Sequence, residues 1–193
     1  HPGPFNVLCS PRESVVKKTI SELNKHSEIM DMMNLSKTHY NKINIHVGGA
    51  YGDKLSAMNR WVENFKKLEK GTKARLTVEN DDKESCYTVE DLIYIHKKTQ
   101  VPIVFDYHHH SCHSGGMSHK DALSLAFSTW PQNITPAVHI SEPRDEKNKR
   151  AHHDYIKNEV DNYNLDIDIM MEAKAKELAV LEYKKLYKQL ILS

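Results

Sequence analysis

Five ionisable side chains stand where short apolar runs of the sequence end. His46 ends KINIH, Glu79 ends RLTVE, and Asp106 ends IVFD. His139 ends PAVH, and Glu172 follows DIDIMM. Successive members are separated by 33, 27, 33 and 33 residues, a spacing typical of one strand, loop and helix. Because parallel strands of a barrel deliver their carboxyl ends to one face, we expect these side chains to meet there.

Imidazole and carboxylate groups together suit Mn²⁺, Zn²⁺ or Fe²⁺ better than Mg²⁺ or Ca²⁺. His109 stands three residues after Asp106 and can turn toward the same ion, and His1 adds a further imidazole. These seven candidate ligands exceed the four that a tetrahedral site uses, so they indicate two or three ions. Clustered metals of this kind hydrolyse phosphodiesters. A single such residue is more often a hydrogen-bonded group or a helix cap, and the prediction therefore depends on several occurring together.

The pattern of apolar residues predicts alternating strands and helices. Short apolar or β-branched runs predict six buried strands, at 5–8, 42–47, 74–79, 101–105, 134–140 and 166–171. Helical periodicity lies between and after them, at about 12–34, 53–68, 88–98, 118–127, 150–158 and 172–191. Asp53 and Thr88 are start signals, and Thr88 forms a near-match to a capping box with Asp91. In the last helix, we expect the buried side to consist of Leu178, Leu181, Leu186 and Leu190.

Strict alternation predicts an α/β fold with a parallel sheet, either a barrel or a doubly wound sheet. A (β/α)₈ TIM barrel usually needs about 250 residues. The chain has 193 residues and begins at His1 inside what resembles a strand-end motif. We therefore expect an incomplete barrel that lacks its first two or three strands, formed by a single domain over residues 1–193. A doubly wound domain of six strands stays open as the alternative.

Composition excludes several classes of protein. The chain is 39% hydrophobic and 27% charged, which excludes a disordered protein. Its mean hydropathy of −0.65 predicts a soluble protein without a membrane span or secretory leader. Lys and Arg number 27 against 26 Asp and Glu, so nucleic acid would be held by local contacts. Three scattered cysteines predict a reducing, intracellular compartment.

Loop residues after the strands are candidates for contact with nucleic acid. These are Tyr51 and Lys54 in HVGGAYGDK, Asn80 in ENDDK, and Arg144 in SEPR. The adjacent Gly48 and Gly49 would let the backbone approach a phosphate closely.

Seven segments resemble the UV damage endonuclease family of DNA repair enzymes, in order and nearly from end to end. They are HPGPFNVL, INIHVGGAYGDK, LTVENDD, VPIVFDYHHH, PAVHIS, RAHHDYI and MMEAKAKE. The resemblance implies a metal-dependent relative of endonuclease IV on a TIM barrel. Such an enzyme nicks damaged double-stranded DNA on the 5′ side of UV photoproducts. We expect a monomer that acts where DNA is kept, in the cytoplasm and nucleoid or in the nucleus.

Carried over residue by residue, the resemblance implies metal ligands, with manganese first among the metals and zinc second. The implied ligands are His1, His46, Glu79, Asp106, His109, His139 and Glu172. Among them, we expect Glu79, His109, His139 and Glu172 to act in catalysis. The residues that follow HPG probe the lesion in the family, which implies DNA contacts for Pro4 and Phe5. His152 resembles a family histidine near the site, and Ala137 replaces a lysine that many members carry.

Two other functions stay open from the sequence. A metal-dependent sugar isomerase or epimerase of the xylose-isomerase-like barrel group also carries Glu, Asp and His at strand ends. A protein that binds DNA damage without cutting it is the third hypothesis.

Overall fold

The computed structural model describes residues 2–187. Five strands lie in this range: β1 (Ile43–His46), β2 (Leu76–Glu79), β3 (Ile103–Asp106), β4 (Ala137–Ile140) and β5 (Asp168–Met171). The helices described are α1 (Glu13–Met32), α2 (Lys54–Phe65), α3 (Lys70–Lys73), α4 (Val89–Thr99), α5 (Tyr107–Cys112), α6 (His119–Phe127) and α7 (Glu177–Leu186). Within this range, none of the helices combines the length and apolar character needed to cross a membrane.

The sheet is parallel throughout, and its strand order is β1-β2-β3-β4-β5. This sequential order is that of a barrel, whereas a doubly wound sheet reverses its order at a switch point. The doubly wound alternative is therefore wrong. The register pairs His46 with Glu79 and Asp106 with His139, so ionisable residues of neighbouring strands stand side by side.

The predicted start signals form real caps. The Asp53 side chain accepts hydrogen bonds from the backbone N–H groups of Leu55 and Ser56 and begins α2. Thr88 and Asp91 form a complete capping box at the start of α4. Both helices thus begin directly after the loops that leave β1 and β2, which fixes the geometry of those loops.

The main core lies between the sheet and the helices that cover its outer side. Its fully buried side chains include Leu23 of α1, Trp61 of α2, Leu92 of α4 and Phe105 of β3. Burying apolar side chains of this size contributes roughly 1.5–3 kcal/mol each, so the core anchors the strands that carry the polar residues.

Residues 5–8 do not form the predicted strand. Turns occupy residues 4–5 and 8–9. The Leu8 carbonyl accepts a hydrogen bond from Asn64 Nδ2 at 2.8 Å, and the Cys9 carbonyl accepts one from Arg60 Nε at 2.8 Å. Side chains of α2 therefore satisfy this backbone, and among the described residues it pairs with no strand.

Two predicted helices also differ from the structure. Residues 150–158 are irregular, apart from the bridge between Pro143 and His152. The last helix begins at Glu177, five residues later than predicted. It buries Ala179 and Tyr183. Three of the leucines expected to be buried are exposed: Leu178, Leu181 and Leu186. The fourth, Leu190, lies outside the described residues.

Candidate metal centre

The carboxyl end of the sheet brings the predicted ionisable residues together. His46, Glu79 and Asp106 are the last residues of β1, β2 and β3. His139 is the third residue of β4, and Glu172 follows β5 directly. His1, the remaining predicted ligand, lies outside the described residues.

Glu79 lies at the centre of this group and is 1% exposed. Its Oε1 lies 3.3 Å from His109 Nδ1, and its Oε2 lies 3.2 Å from His139 Nδ1. His139 Nδ1 also lies 3.1 Å from Glu172 Oε1. One buried carboxylate therefore links imidazoles on two sides.

Two sets of ligand atoms share Glu79. One consists of His46, Glu79 and His109, and the other consists of Glu79, Asp106 and His139. Within each set, the ligand atoms all lie within 4.8 Å of one another. A shared carboxylate is the arrangement by which two cations are held close together.

The short helix α5 brings His109 to the centre. Asp106 is its N-cap, and Asp106 Oδ1 accepts a hydrogen bond from the His109 backbone N–H at 2.8 Å. Asp106 Oδ2 is buried without a hydrogen-bond partner among the described residues and lies 3.7 Å from His109 Nδ1. The cap therefore uses one carboxylate oxygen and leaves the other facing the cluster.

Asn80 joins β2 to β3 directly behind the cluster. Its Nδ2 donates to the Asp106 carbonyl at 3.0 Å, and its Oδ1 accepts from the Asp106 N–H at 2.9 Å. The Asn80 carbonyl lies 3.0 Å from His109 Nδ1. Asn80 is fully buried, so a contact with DNA would require it to exchange these partners.

The carboxylates strongly favour protonated imidazoles in this arrangement. Burial by itself lowers the pKa of His139, but Glu79 and Glu172 outweigh it and raise the pKa to about 10. Burial also lowers the pKa of His109, and Glu79 and Asp106 raise it to about 9. A metal that binds at pH 7 must therefore displace protons from these rings.

The carboxyl groups respond in opposite directions. Burial raises the pKa of Asp106 above its usual range, against the attraction of His109. The hydrogen bond with His139 lowers the pKa of Glu172, which keeps that carboxylate ionised at neutral pH.

The residues present fit a divalent metal. Buried carboxylates are costly unless a cation or hydrogen bonds compensate them, and Asp106 is 0% exposed with one oxygen unpartnered among the described residues. The mixed nitrogen and oxygen donors match the ligand sets of Mn²⁺ and Zn²⁺.

Two more residues adjoin the cluster. Asp81 Oδ1 lies 3.0 Å from His46 Nδ1, and burial lowers the His46 pKa while Asp81 and Glu79 raise it by more. His152 Nδ1 lies 3.8 Å from Glu172 Oε2, so the segment between β4 and β5 brings His152 to the edge of the cluster.

Sequence reasoning missed Asn44, which donates a hydrogen bond from Nδ2 to Glu79 Oε2. The signal that could have found it is a polar side chain two residues before His46, because alternate residues of a strand share a face.

The remaining candidates for DNA contact differ in exposure. Pro4 and Phe5 lie in an exposed turn, and Phe5 is 88% exposed. Tyr51 is exposed and has a backbone φ of 52°. The Arg60 guanidinium lies 5.6 Å from the centre of its ring. Lys54 Nζ instead forms an ion pair with Asp91 Oδ2 at 2.8 Å.

Arg144 is exposed in the segment between β4 and β5. Its Nε lies 3.1 Å from Asp145 Oδ2, an ion pair at the protein surface. Pairs of this kind contribute little to stability and exchange readily, so the guanidinium remains accessible to an anion.

Comparison with known protein families gives one match along almost the whole chain. The family described as UV-endonuclease UvdE matches residues 1–191. The chain belongs to this family. The UV DNA damage endonuclease of Bacillus cereus (strain B4264) is 40% identical over an alignment 191 residues long, with coverage of 94% of this chain and 59% of that protein. The chain thus spans about three fifths of the length of the curated relatives it matches.

Solved structures agree with the family and with the barrel. The crystal structure of SacUVDE matches with a TM-score of 0.87 and 38% identity, over 98% of this chain and 64% of that one. Endonuclease IV from Thermus thermophilus matches with a TM-score of 0.64 and 12% identity, over 96% of this chain and 73% of that one. D-psicose 3-epimerase from Clostridium cellulolyticum matches with a TM-score of 0.54 and 18% identity, over 73% of this chain and 50% of that one. The last two show the fold alone.

The fold is therefore that of a TIM barrel, of which the five parallel strands form part. The sugar isomerase alternative is not favoured, because the family match and the structure with the highest identity among these three both concern UV endonucleases.

Proposed function

We propose that this chain functions as a metal-dependent DNA repair endonuclease that nicks the backbone 5′ to UV photoproducts. The observation that carries the proposal is the sharing of Glu79 by two sets of buried ligand atoms at the carboxyl end of the sheet. Paired cations beside a phosphodiester are a general means of hydrolysing it. Membership in the UV-endonuclease family supports damaged double-stranded DNA as the substrate.

The proposed cofactor is a set of two or three divalent ions, with Mn²⁺ first and Zn²⁺ second. The mixture of imidazole and carboxylate donors supports both metals. The proposed ligands are His1, His46, Glu79, Asp106, His109, His139 and Glu172.

The bound ions would polarise a phosphoryl oxygen and activate a water molecule. Glu79 holds the His109 and His139 rings in place from either side. Glu172 lies at the more exposed edge, and the hydrogen bond with His139 lowers its pKa, so its carboxylate stays ionised and able to hold a cation. We assign the catalytic step to these four residues.

Contacts with the duplex are assigned to the loops around the cluster. Phe5 can insert against bases, because its ring is almost fully exposed. Pro4 adjoins it, and the other assigned residues are Tyr51, Lys54, Asn80, Arg144 and His152. For Lys54 and Asn80, a contact would require them to exchange the partners they have in the structure.

We further propose that residues 1–193 belong to one barrel domain that acts as a monomer. Its compartment would be the one that holds DNA, the cytoplasm and nucleoid or the nucleus.

Incision of a labelled duplex tests the proposed activity. The purified protein, loaded with Mn²⁺, is incubated with the same duplex before and after UV irradiation, and the product ends are mapped at nucleotide resolution. We expect a cut immediately 5′ to the photoproduct in the irradiated duplex alone. A folded, metal-loaded protein that binds the lesion without cutting it would contradict the proposal and favour a damage-binding function.

A further inference from the structure

We propose that Asn44 is a positioning residue for Glu79, and that Thr77 holds the Asn44 amide in place through its oxygen. The inference rests on the metal centre proposed above and goes beyond it, because neither Asn44 nor Thr77 is among the proposed ligands.

The register of β1 and β2 places these residues in a second polar layer. Asn44 pairs with Thr77, and His46 pairs with Glu79 two residues further along both strands. Since alternate residues of a strand share a face, all four side chains lie on the same side of the sheet. Asn44 and Thr77 therefore lie directly beneath the ligand layer.

Hydrogen bonds connect the two layers in one direction. Thr77 Oγ1 donates to Asn44 Oδ1 at 2.9 Å, and Asn44 Nδ2 donates to Glu79 Oε2. The carboxylate can only accept, so it requires the Nδ2 group on its side of the amide. The Glu79 carboxylate therefore selects the amide orientation, and the Thr77 hydroxyl donates to the amide oxygen on the other side and holds the amide in place.

Burial makes this orientation costly to lose. Asn44 is 4% exposed, and Thr77 and Glu79 are at least as buried. A flipped amide would turn its oxygen toward Glu79 Oε2, and water has little access to repair the contact.

The consequence for the metal centre is a fixed carboxylate. Asn44 holds Oε2 on the side of His139, at 3.2 Å from Nδ1, which leaves Oε1 on the side of His109. Each oxygen thus faces a different imidazole. Residues that orient metal ligands typically contribute about 10- to 100-fold to metal affinity.

The substitution Thr77→Val tests the proposal, because it removes the hydroxyl and nearly keeps the shape. Thr77→Ser keeps the hydroxyl and serves as the rescue. Thr72→Val is the matched control: Thr72 is also fully buried and donates to Asn24 Oδ1 at 2.8 Å, but it lies in α3, before the amino end of β2. Asn44→Ala, which removes the amide itself, is the second variant.

Binding of Mn²⁺ to each protein is measured by electron paramagnetic resonance of the free ion, with thermal unfolding followed in parallel. We expect Thr77→Val and Asn44→Ala to weaken Mn²⁺ binding about tenfold or more, and Thr77→Ser and Thr72→Val to change it by less than about twofold. Affinity does not depend on nuclease activity, so this result stands apart from any failure of incision.

Three outcomes would overturn the proposal. Thr77→Val and Asn44→Ala that both bind Mn²⁺ like the unsubstituted protein would remove the positioning role. An equal loss of affinity in Thr72→Val would reduce the effect to general destabilisation. Failure of the unsubstituted protein to bind Mn²⁺ would overturn the metal centre, and this inference with it.

Discussion

Glu79→Gln perturbs the metal centre at the one carboxylate that both sets of ligand atoms share. The change keeps the shape of the side chain and removes its charge. The Glu79 oxygens lie 3.3 Å from His109 Nδ1 and 3.2 Å from His139 Nδ1. At such separations and an effective dielectric constant of about 20, two unit charges attract by about 5 kcal/mol before desolvation is subtracted.

Losing even about 3 kcal/mol of such attraction weakens binding by more than about 100-fold, since each 1.4 kcal/mol is a factor of about ten. We therefore expect Glu79→Gln to bind Mn²⁺ at least about 100-fold more weakly and to lose both ion positions together. Electron paramagnetic resonance of free Mn²⁺ measures the affinity and the number of ions, and circular dichroism checks the fold. Incision of irradiated duplex should fall with the bound metal.

Glu84→Gln is the matched control, because Glu84 lies five residues after Glu79, in the loop that follows β2, and is exposed. It should leave the affinity for Mn²⁺ unchanged. The reasoning would be refuted if Glu79→Gln kept the original stoichiometry and affinity, or if Glu84→Gln lost as much.

Three further predictions concern DNA contact, pH and stability. Phe5→Ala should weaken binding to irradiated duplex about tenfold or more, because Phe5 is exposed and one stacked base contributes about 1–3 kcal/mol. The affinity for Mn²⁺ should stay unchanged. A filter-binding assay measures the first and a metal titration measures the second. Affinity for Mn²⁺ should rise as the pH goes from 6 to 8, because the raised pKa values of His109 and His139 keep both rings protonated below about 9. Each displaced proton adds up to about tenfold per pH unit, and a flat profile would contradict this. Arg75→Ala should lower the free energy of unfolding in urea by about 3 kcal/mol. The reason is that the fully buried guanidinium donates to Asp31, to the Leu35 carbonyl and to neighbouring groups. A loss under about 1 kcal/mol would contradict this prediction.

The strands that carry the candidate ligands could be predicted from the sequence. β1 to β5 fall within predicted ranges, apart from the last residue of β3, Asp106, which was predicted as the strand-end ligand. Runs of buried apolar residues mark β1 to β4, because both faces of these strands are covered. The prediction that residues 166–171 form a buried strand is wrong on burial: β5 forms, but it pairs only with β4 among the described strands, and its residues are mostly exposed. The spacing of about thirty residues then follows from the length of a strand, a helix and two short loops.

Tertiary contacts replaced local preference in two segments, which made the predictions for them wrong. Residues 5–8 are apolar like a strand, yet Asn64 of α2 satisfies the Leu8 carbonyl. In α7, Tyr183 packs with Ile140 and Ile156 and turns the leucines outward. Periodicity identified that helix and could not decide which of its sides meets the protein.

The helix α5 shows how a short stretch of the chain brings two candidate ligands to the cluster. Asp106 ends β3, caps α5 through Oδ1, and presents Oδ2 to the cluster. Because the capped N–H belongs to His109, the spacing that closes the cap also sets the distance between the two candidate ligands. Asn80 holds the Asp106 backbone to β2 from the other side. Helix capping and strand pairing, which the fold needs in any case, thus bring Asp106 and His109 to Glu79.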